Sequence, residues 1–395
     1  NVMHDLDSGT NASNSYGNTF MGYNAAGGAW GNTAASSYNV GIGYDAMSGA
    51  IDEAWYNVCI GLQAGKVITT GDNNTLIGKN AGLVMLANSF NTAIGADALS
   101  TAEGTEAYNV SIGHSSMSGV TNDASDYCVA IGHNALSGGS GSVATSIAIG
   151  AFALDGTGSL GGTNNIAIGY ESMSGTVETA APFWNVAIGH QAMGTGAMNA
   201  ATSNVAIGYQ TGKAITEGDY NALVGHQAGD AITTGSYNTA MGFASLSGIT
   251  TNTGNTAYGY ASGGGITSTS SGGNVLLGGY AGSGGSGVIS NTVVVGQYAL
   301  DGTTTHNAIN SVYIGYNSGT GGHTGNTQGN TAVGYQTMIG AMTAGDYNSA
   351  LGYGALASIT TGDTNIGIGV AAGALLTTGG QNTIIGSEAG DTMTD

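Results

Sequence analysis

The chain has 395 residues, with 74 glycines, one proline (Pro182), 23 acidic residues, three lysines and no arginine, for a net charge of −20. That balance gives nucleic acid and anionic lipid nothing to bind to electrostatically. Collagen is excluded because glycine does not fall at every third position. Disorder is excluded because the hydrophobic residues, 41% of the chain, recur at fixed places.

Residues 1–17 are polar and read as an irregular lead-in or a degenerate coil. From Asn18 a short motif takes over, seen most clearly as Asn185-Val186-Ala187-Ile188-Gly189. Aligned on its glycine it occurs 21 times between Gly22 and Gly386, at intervals of 17 to 21 residues. A period this short predicts an all-β fold: a parallel β-solenoid, or β-roll, of about 21 coils over residues 18–390. Residues 391–395 are expected to start a further coil or a linker. No run of 18 apolar residues occurs, so this segment is expected not to insert into a membrane. No signal peptide is evident, and the first residue is Asn1 rather than Met. We expect the chain to be a processed or excerpted part of something longer.

Each column of the repeat carries its own expectation. Three positions before the glycine, 19 of 21 residues are Val, Thr or Ile; one position before it, all but Tyr258 are aliphatic or Met. β-branched residues favour strands. These two columns, with Ile168, Ile188 and Ile207 as examples, are assigned to the coil interior. The residue between them then faces outward. It is Gly, Ala, Ser or Cys in 14 coils and mostly large and apolar in the rest. A small or apolar outer column suggests close packing against another chain. The expected oligomer interface is therefore Ala93, Ala130, Ala148, Ala167, Ala187, Ala206, Leu223, Ala240, Leu276, Val294 and Tyr313.

Four positions before the glycine, 17 of 21 residues are Asn, which reads as a corner-stabilising ladder. The glycine is expected at the next corner, where φ is positive or a side chain would clash. Four positions after it, Leu or Met alternates with Gly. Where Gly stands, an apolar residue such as Ile68, Ile215, Ile232 or Leu376 often follows three later, giving a second inward position. Cys59 and Cys128 lie four coils apart. At about 4.8 Å per strand, that separation is too large for a disulfide within one chain.

Candidate chemistry is sparse. The position after the glycine holds eight tyrosines and four histidines (His114, His133, His190, His226). This column reads as cross-rung stacking, with a sugar-binding stripe or a histidine column as the functional alternatives. The Gly-Asp turns at Asp72, Asp219, Asp346 and Asp363 are weak candidates for Ca²⁺, each offering one carboxylate where several oxygens are needed. No other cofactor and no catalytic constellation emerges, because every apparent motif is a copy of the repeat.

Asn291-Thr292-Val293-Val294-Val295-Gly296 and Asn310-Ser311-Val312-Tyr313-Ile314-Gly315 carry the motif in its fuller form. The second resembles the N-S-V-A-I-G signature of YadA-type heads in trimeric autotransporter adhesins, and similar repeats occur in trimeric phage tail fibres. The resemblance implies a left-handed β-roll, three chains side by side and a tip that binds a surface. The present coils are several residues longer than the family's, and most lack its Ser. The expected function is a non-enzymatic extracellular fibre segment, a shaft or head of a cell-surface or virion appendage. Its partners would be itself and an unidentified surface receptor or glycan. The alternatives are a monomeric solenoid stacking end to end into a filament, and a binding module for ice or carbohydrate.

Overall fold

The computed structural model describes residues 15–30, 34–102, 104–121, 124–156, 158–284, 287–302 and 307–395. Most of the expected lead-in, residues 1–14, lies outside the described residues. The chain divides into two units, Asn1–Ser203 and Asn204–Asp395. Each is a parallel β-solenoid, as the repeat predicts, and no helix occurs among the described residues. The first unit stacks ten three-residue strands, from Thr19–Met21 to Val186–Ile188. The second stacks eleven, from Val205–Ile207 to Thr383–Ile385. Within each unit successive strands pair in parallel with repeat positions in register, as in Ile147↔Ile166, Ala148↔Ala167 and Ile149↔Ile168. In the second unit the return segments add a small parallel sheet of Ile289–Ser290, Ala308–Ile309 and Thr327–Gln328.

The strands are short because both ends are fixed. The repeat glycine has φ between 131° and 142°, and a Cβ on it would run into the backbone of the next coil's glycine. Only glycine meets both conditions. The chain then bends through two left-handed residues, such as Asp97 (φ 57°) and Leu99 (φ 48°). A third left-handed residue, such as Tyr108 (φ 61°), precedes the Asn of the next strand.

The interior reverses one sequence expectation. The middle residue of each strand points into the coil: Ala93, Ala130, Ala148, Ala167, Ala187, Ala206, Leu223, Ala240, Leu276, Val294 and Tyr313 are fully buried within the single chain. The flanking Val, Thr and Ile columns, including Ile168, Ile188 and Ile207, are the half-exposed or exposed ones. Strand alternation gives the reason. Asn at the corner points inward and is buried, so the residue two places on must also point inward. A narrow coil whose opposite wall is a tight bend has room for Ala on most rungs, not for two columns of isoleucine.

Opposite that wall sits the residue four after the glycine. Where it is Leu or Met, as in Leu99, Leu136 and Met193, it is buried, and the middle residue of the same coil's strand is Ala or Gly in all but the coils of Ser111 and Val294. Where it is Gly, large residues replace it. Ile68 Cδ1 would lie 2.8 Å from a Cβ on Gly65, so Ile68 occupies the space a leucine takes elsewhere. This is the second inward position expected from the sequence. Leu76 likewise stands within 3.1 Å of a Cβ on Gly65 and 2.7 Å of one on Gly82. A single large residue thus fills the space beside two successive glycines.

The Asn column forms the expected ladder. Asn221 donates its backbone N–H and its Nδ2 to Asn204 Oδ1 (2.9 and 3.0 Å) and Nδ2 also to Gly235 O (2.9 Å). Asn238 repeats the pattern on Asn221 Oδ1 at 3.0 and 3.1 Å. Buried amides are tolerated here because each is bonded on both sides. Where Asn is replaced, a smaller donor reaches the same carbonyl: Cys128 Sγ to Val143 O at 3.1 Å and Thr292 Oγ1 to Ala308 O at 3.1 Å. Residues 391–395 form the first part of the return segment of the coil that holds Thr383–Ile385. Thr377 N–H donates to Thr394 O at 3.0 Å, and Thr378 Oγ1 donates to Asp395 Oδ1 at 3.1 Å.

Candidate interaction face

With the small residues inside, the outer face of each main sheet is built from four columns. These are the residues five, three and one before the glycine, and the one after it. In sequence they hold a single formally charged residue, Lys79. The two central columns are aliphatic, Met or Thr apart from Ser349 and Tyr258, and several members stand well out, including Ile94, Ile131, Met241, Leu351 and Tyr258, the last 59% exposed. Exposed apolar area arranged this way is unusual on a soluble monomer.

Aromatic ladders flank the aliphatic columns. On one side of the first unit Tyr38 stacks on Tyr56 (5.1 Å between ring centroids) and Phe90 on Tyr108 on Tyr127 (4.9 and 5.0 Å). On the other side Tyr23 stacks on Tyr44 (5.1 Å) and Tyr170 on His190 (5.2 Å). In the second unit Tyr209, His226, Phe243 and Tyr260 follow one another at 4.7, 5.0 and 5.1 Å. Tyr316, Tyr335 and Tyr353 do so at 5.4 and 5.2 Å. The ring spacing is close to the strand spacing, so register alone brings the rings into contact. His190 and His226 belong to these stacks. The other two histidines of the column, His114 and His133, lie 5.2 Å apart, centroid to centroid, with their rings tilted by 42°.

The aromatic column five before the glycine escaped the sequence reading. Its signal was present in the repeated Tyr-Asn pairs: Tyr38-Asn39, Tyr56-Asn57, Tyr108-Asn109, Tyr220-Asn221, Tyr237-Asn238 and Tyr347-Asn348.

The Gly-Asp turns have a structural occupation. Asp72 Oδ1 accepts the Trp55 N–H (2.6 Å), Asp346 Oδ1 the Gln328 N–H (2.9 Å), and Asp363 Oδ1 the Asp346 N–H (2.8 Å). Ser89 and Ser236 do the same for Asp72 N–H and Asp219 N–H at 2.9 and 3.0 Å. This rim ladder explains why Gly-Asp and Gly-Ser interchange in the sequence. Desolvation holds the Asp72 carboxyl above its ordinary range, opposed by the Trp55 hydrogen bond and assisted by Glu53. Among the described residues no three His, Cys, Asp or Glu side chains are grouped to hold a metal ion.

No family model and no curated protein matches the chain. The likeness to YadA-type heads therefore stands on its motif residues alone.

Both cysteines are buried free thiols. Tyr313, placed in the outer column by the sequence reading, is enclosed beside Gly319, with His323 edge-on at 6.0 Å between ring centroids. Burial pushes its hydroxyl up to about 12, against the pull of Ser311, Thr327 and Asn330.

Proposed function

We propose that the chain is a non-enzymatic structural or adhesive fibre segment that works outside the cell. In this reading it assembles as a homotrimer in which each unit packs its outer sheet face against other copies of itself. The observation that carries the reading is the uncharged, apolar, ladder-flanked face on a chain of net charge −20. Any second copy brings the same negative charge, so contact is least opposed where that charge is absent. A flat apolar column repeating at the strand spacing is also complementary to another of the same period. The trimer implied by the YadA-like motif is retained, but its contact surface moves to the flanking Val, Ile and Leu columns. The scarcity of Lys and Arg leaves few sites for trypsin-like proteases, which suits an exposed setting.

Ice binding gains something from the reversed faces. The seven threonines three before the glycine face outward, and Thr75↔Thr92 and Thr239↔Thr256 are adjacent rungs. They alternate with Val and Ile, however, and no Thr occupies the column one before the glycine. The two-dimensional grid that ice recognition requires does not form.

Molar mass in solution tests the assembly. The expected result is a single species of about three times the 38.6 kDa chain. A stable monomer with this face open to solvent would overturn the trimer and leave end-to-end stacking as the better account.

A further inference from the structure

In the second unit the return segments carry a feature with no part in the outer face. Across the small sheet of Ile289–Ser290, Ala308–Ile309 and Thr327–Gln328, Ser290, Ile309 and Gln328 lie in register, and beside them is a hollow of about 240 Å³. Its lining is Asn307, Ile309, Asn326, Thr327, Gln328 and Asp346. We propose that this hollow binds a neutral polyhydroxylated glycan.

The chemistry of the lining is set by the backbone. Asn307 Oδ1 accepts the Val288 N–H (2.9 Å), and Asn326 Oδ1 accepts the Asn307 N–H (3.1 Å). These bonds fix the orientation of both amides and turn each NH2 away from the backbone as a donor. Asp346 spends Oδ1 on the Gln328 N–H, while its Oδ2 has only a long contact of 3.4 Å with Gln328 Nε2. The hollow therefore presents two amide donors and a carboxylate acceptor on a rigid frame. Its floor is held from below: Thr327 Oγ1 donates to Asn307 O at 3.2 Å and lies 3.1 Å from His323 Nδ1.

Other ligand classes fit less well. An anion would meet Asp346 on a chain of net charge −20. A cation would meet two amide NH2 groups. An added peptide strand would find the Gln328 and Asn307 N–H groups already taken by side chains. A sugar ring suits all the parts at once: its hydroxyls both donate and accept, and the less polar face of the ring can lie on Ile309.

Affinity electrophoresis of the full chain through gels containing dextran, mannan or a β-glucan tests this. At least one polysaccharide should retard the protein, with or without a chelator. Asn326→Asp keeps the acceptor for Asn307 N–H and removes the donors. Asp346→Asn keeps the acceptor for Gln328 N–H and removes the charge. Each should weaken retardation about fivefold, the worth of a hydrogen bond. Glu217→Gln, on another return segment of the same unit, should leave it unchanged. Circular dichroism checks that each variant folds, and Asp346→Asn alone decides the matter if Asn326→Asp does not. No retardation by any of the three polysaccharides, unchanged retardation in Asp346→Asn, or a requirement for added Ca²⁺ would overturn the site. None of these readouts depends on whether the chain is a trimer.

Discussion

Leu276 fills the space that Gly282 leaves open on the opposite wall of its coil: a Cβ on Gly282 would lie 2.8 Å from Leu276 Cδ2. The same leucine stands 2.7 Å from where a Cβ on Gly263 would be, one coil earlier. Large-to-small change at a closed site costs transfer energy plus a cavity term. Leu276→Ala should lose about 2–5 kcal/mol in chemical denaturation. Gly282→Leu alone should destabilise by overpacking, although its left-handed φ of 61° is one that Leu99 and Leu136 adopt elsewhere. The double variant should recover part of the summed loss. Strict additivity would show that the two residues do not share one space.

The Asn ladder makes a graded forecast. Asn221→Ala strips the partner from Gly235 O and from the Asn238 N–H together, while Asn204 Oδ1 keeps the backbone N–H of residue 221. Each buried group left unpaired costs about 1–3 kcal/mol. Asn221→Ser should cost clearly less, because Ser and Thr already serve in this column: Ser146 and Thr292 donate to the corresponding carbonyl and Ser311 Oγ accepts the Asn330 N–H. Equal losses on thermal melting would mean that the ladder's hydrogen bonds are not what matters there.

Two adjacent residues separate interior from face. Ala187→Arg forces a charge into a closed coil and should abolish folding of its unit. Ile188→Lys should leave the circular dichroism spectrum intact and lower the molar mass toward the monomer. The reverse pair of outcomes would restore the orientation first expected from the sequence.

Asp72 gives a pH signature. Its folded pKa is raised above the ordinary value of 3.8, with desolvation the largest cause. Between that value and the folded one the native state binds more protons than the unfolded chain. This group's contribution therefore falls as pH rises through the window and stays lost at neutral pH. Asp72→Asn keeps an acceptor for the Trp55 N–H and removes the desolvated charge. Its melting temperature should equal or exceed wild type at pH 7, with the difference closing below about pH 4. A lower melting temperature at pH 7 would show that the charge itself supports the rim bond.

Burial pushes the Cys128 thiol up to about 11 and raises that of Cys59 as well. Iodoacetamide at pH 8 should therefore label neither in the folded protein and both after unfolding. Rapid labelling of Cys128 in the native state would show that the coil around it opens.

The repeat glycine, the Asn ladder, the apolar residue three after a bend glycine and the free cysteines were legible in the sequence. In each, one residue type meets one backbone demand. The facing of the strand was not read correctly, because β-branched residues suit a pleated surface whichever side it shows. The deciding clue was parity: Asn221 and Leu223 must share a face, so an inward Asn ladder fixes an inward Leu223. The pairing of Leu76 with Gly82, Leu223 with Gly229 and Leu276 with Gly282 was also written in the sequence. It could not be recognised while the two members were assigned to different sides of the wall. The hollow at Asn307 and Asp346 had no such signal. Its residues come from three return segments of differing lengths, and only folding shows that they meet.

The leucines that lie beside two glycines bear on how such a protein changes length over generations. A coil with Ala facing Leu, such as that of Ala130 and Leu136, closes its own interior, and a duplication or loss of that stretch leaves its neighbours filled. Deleting the coil that carries Leu276 would instead take from Gly263 one of the two leucines beside it, leaving Leu246, whose Cδ2 is 2.8 Å from where a Cβ would be. The chain's history of gain and loss should therefore run more freely through single coils where Leu or Met stands at the bend than through those where one leucine serves two glycines.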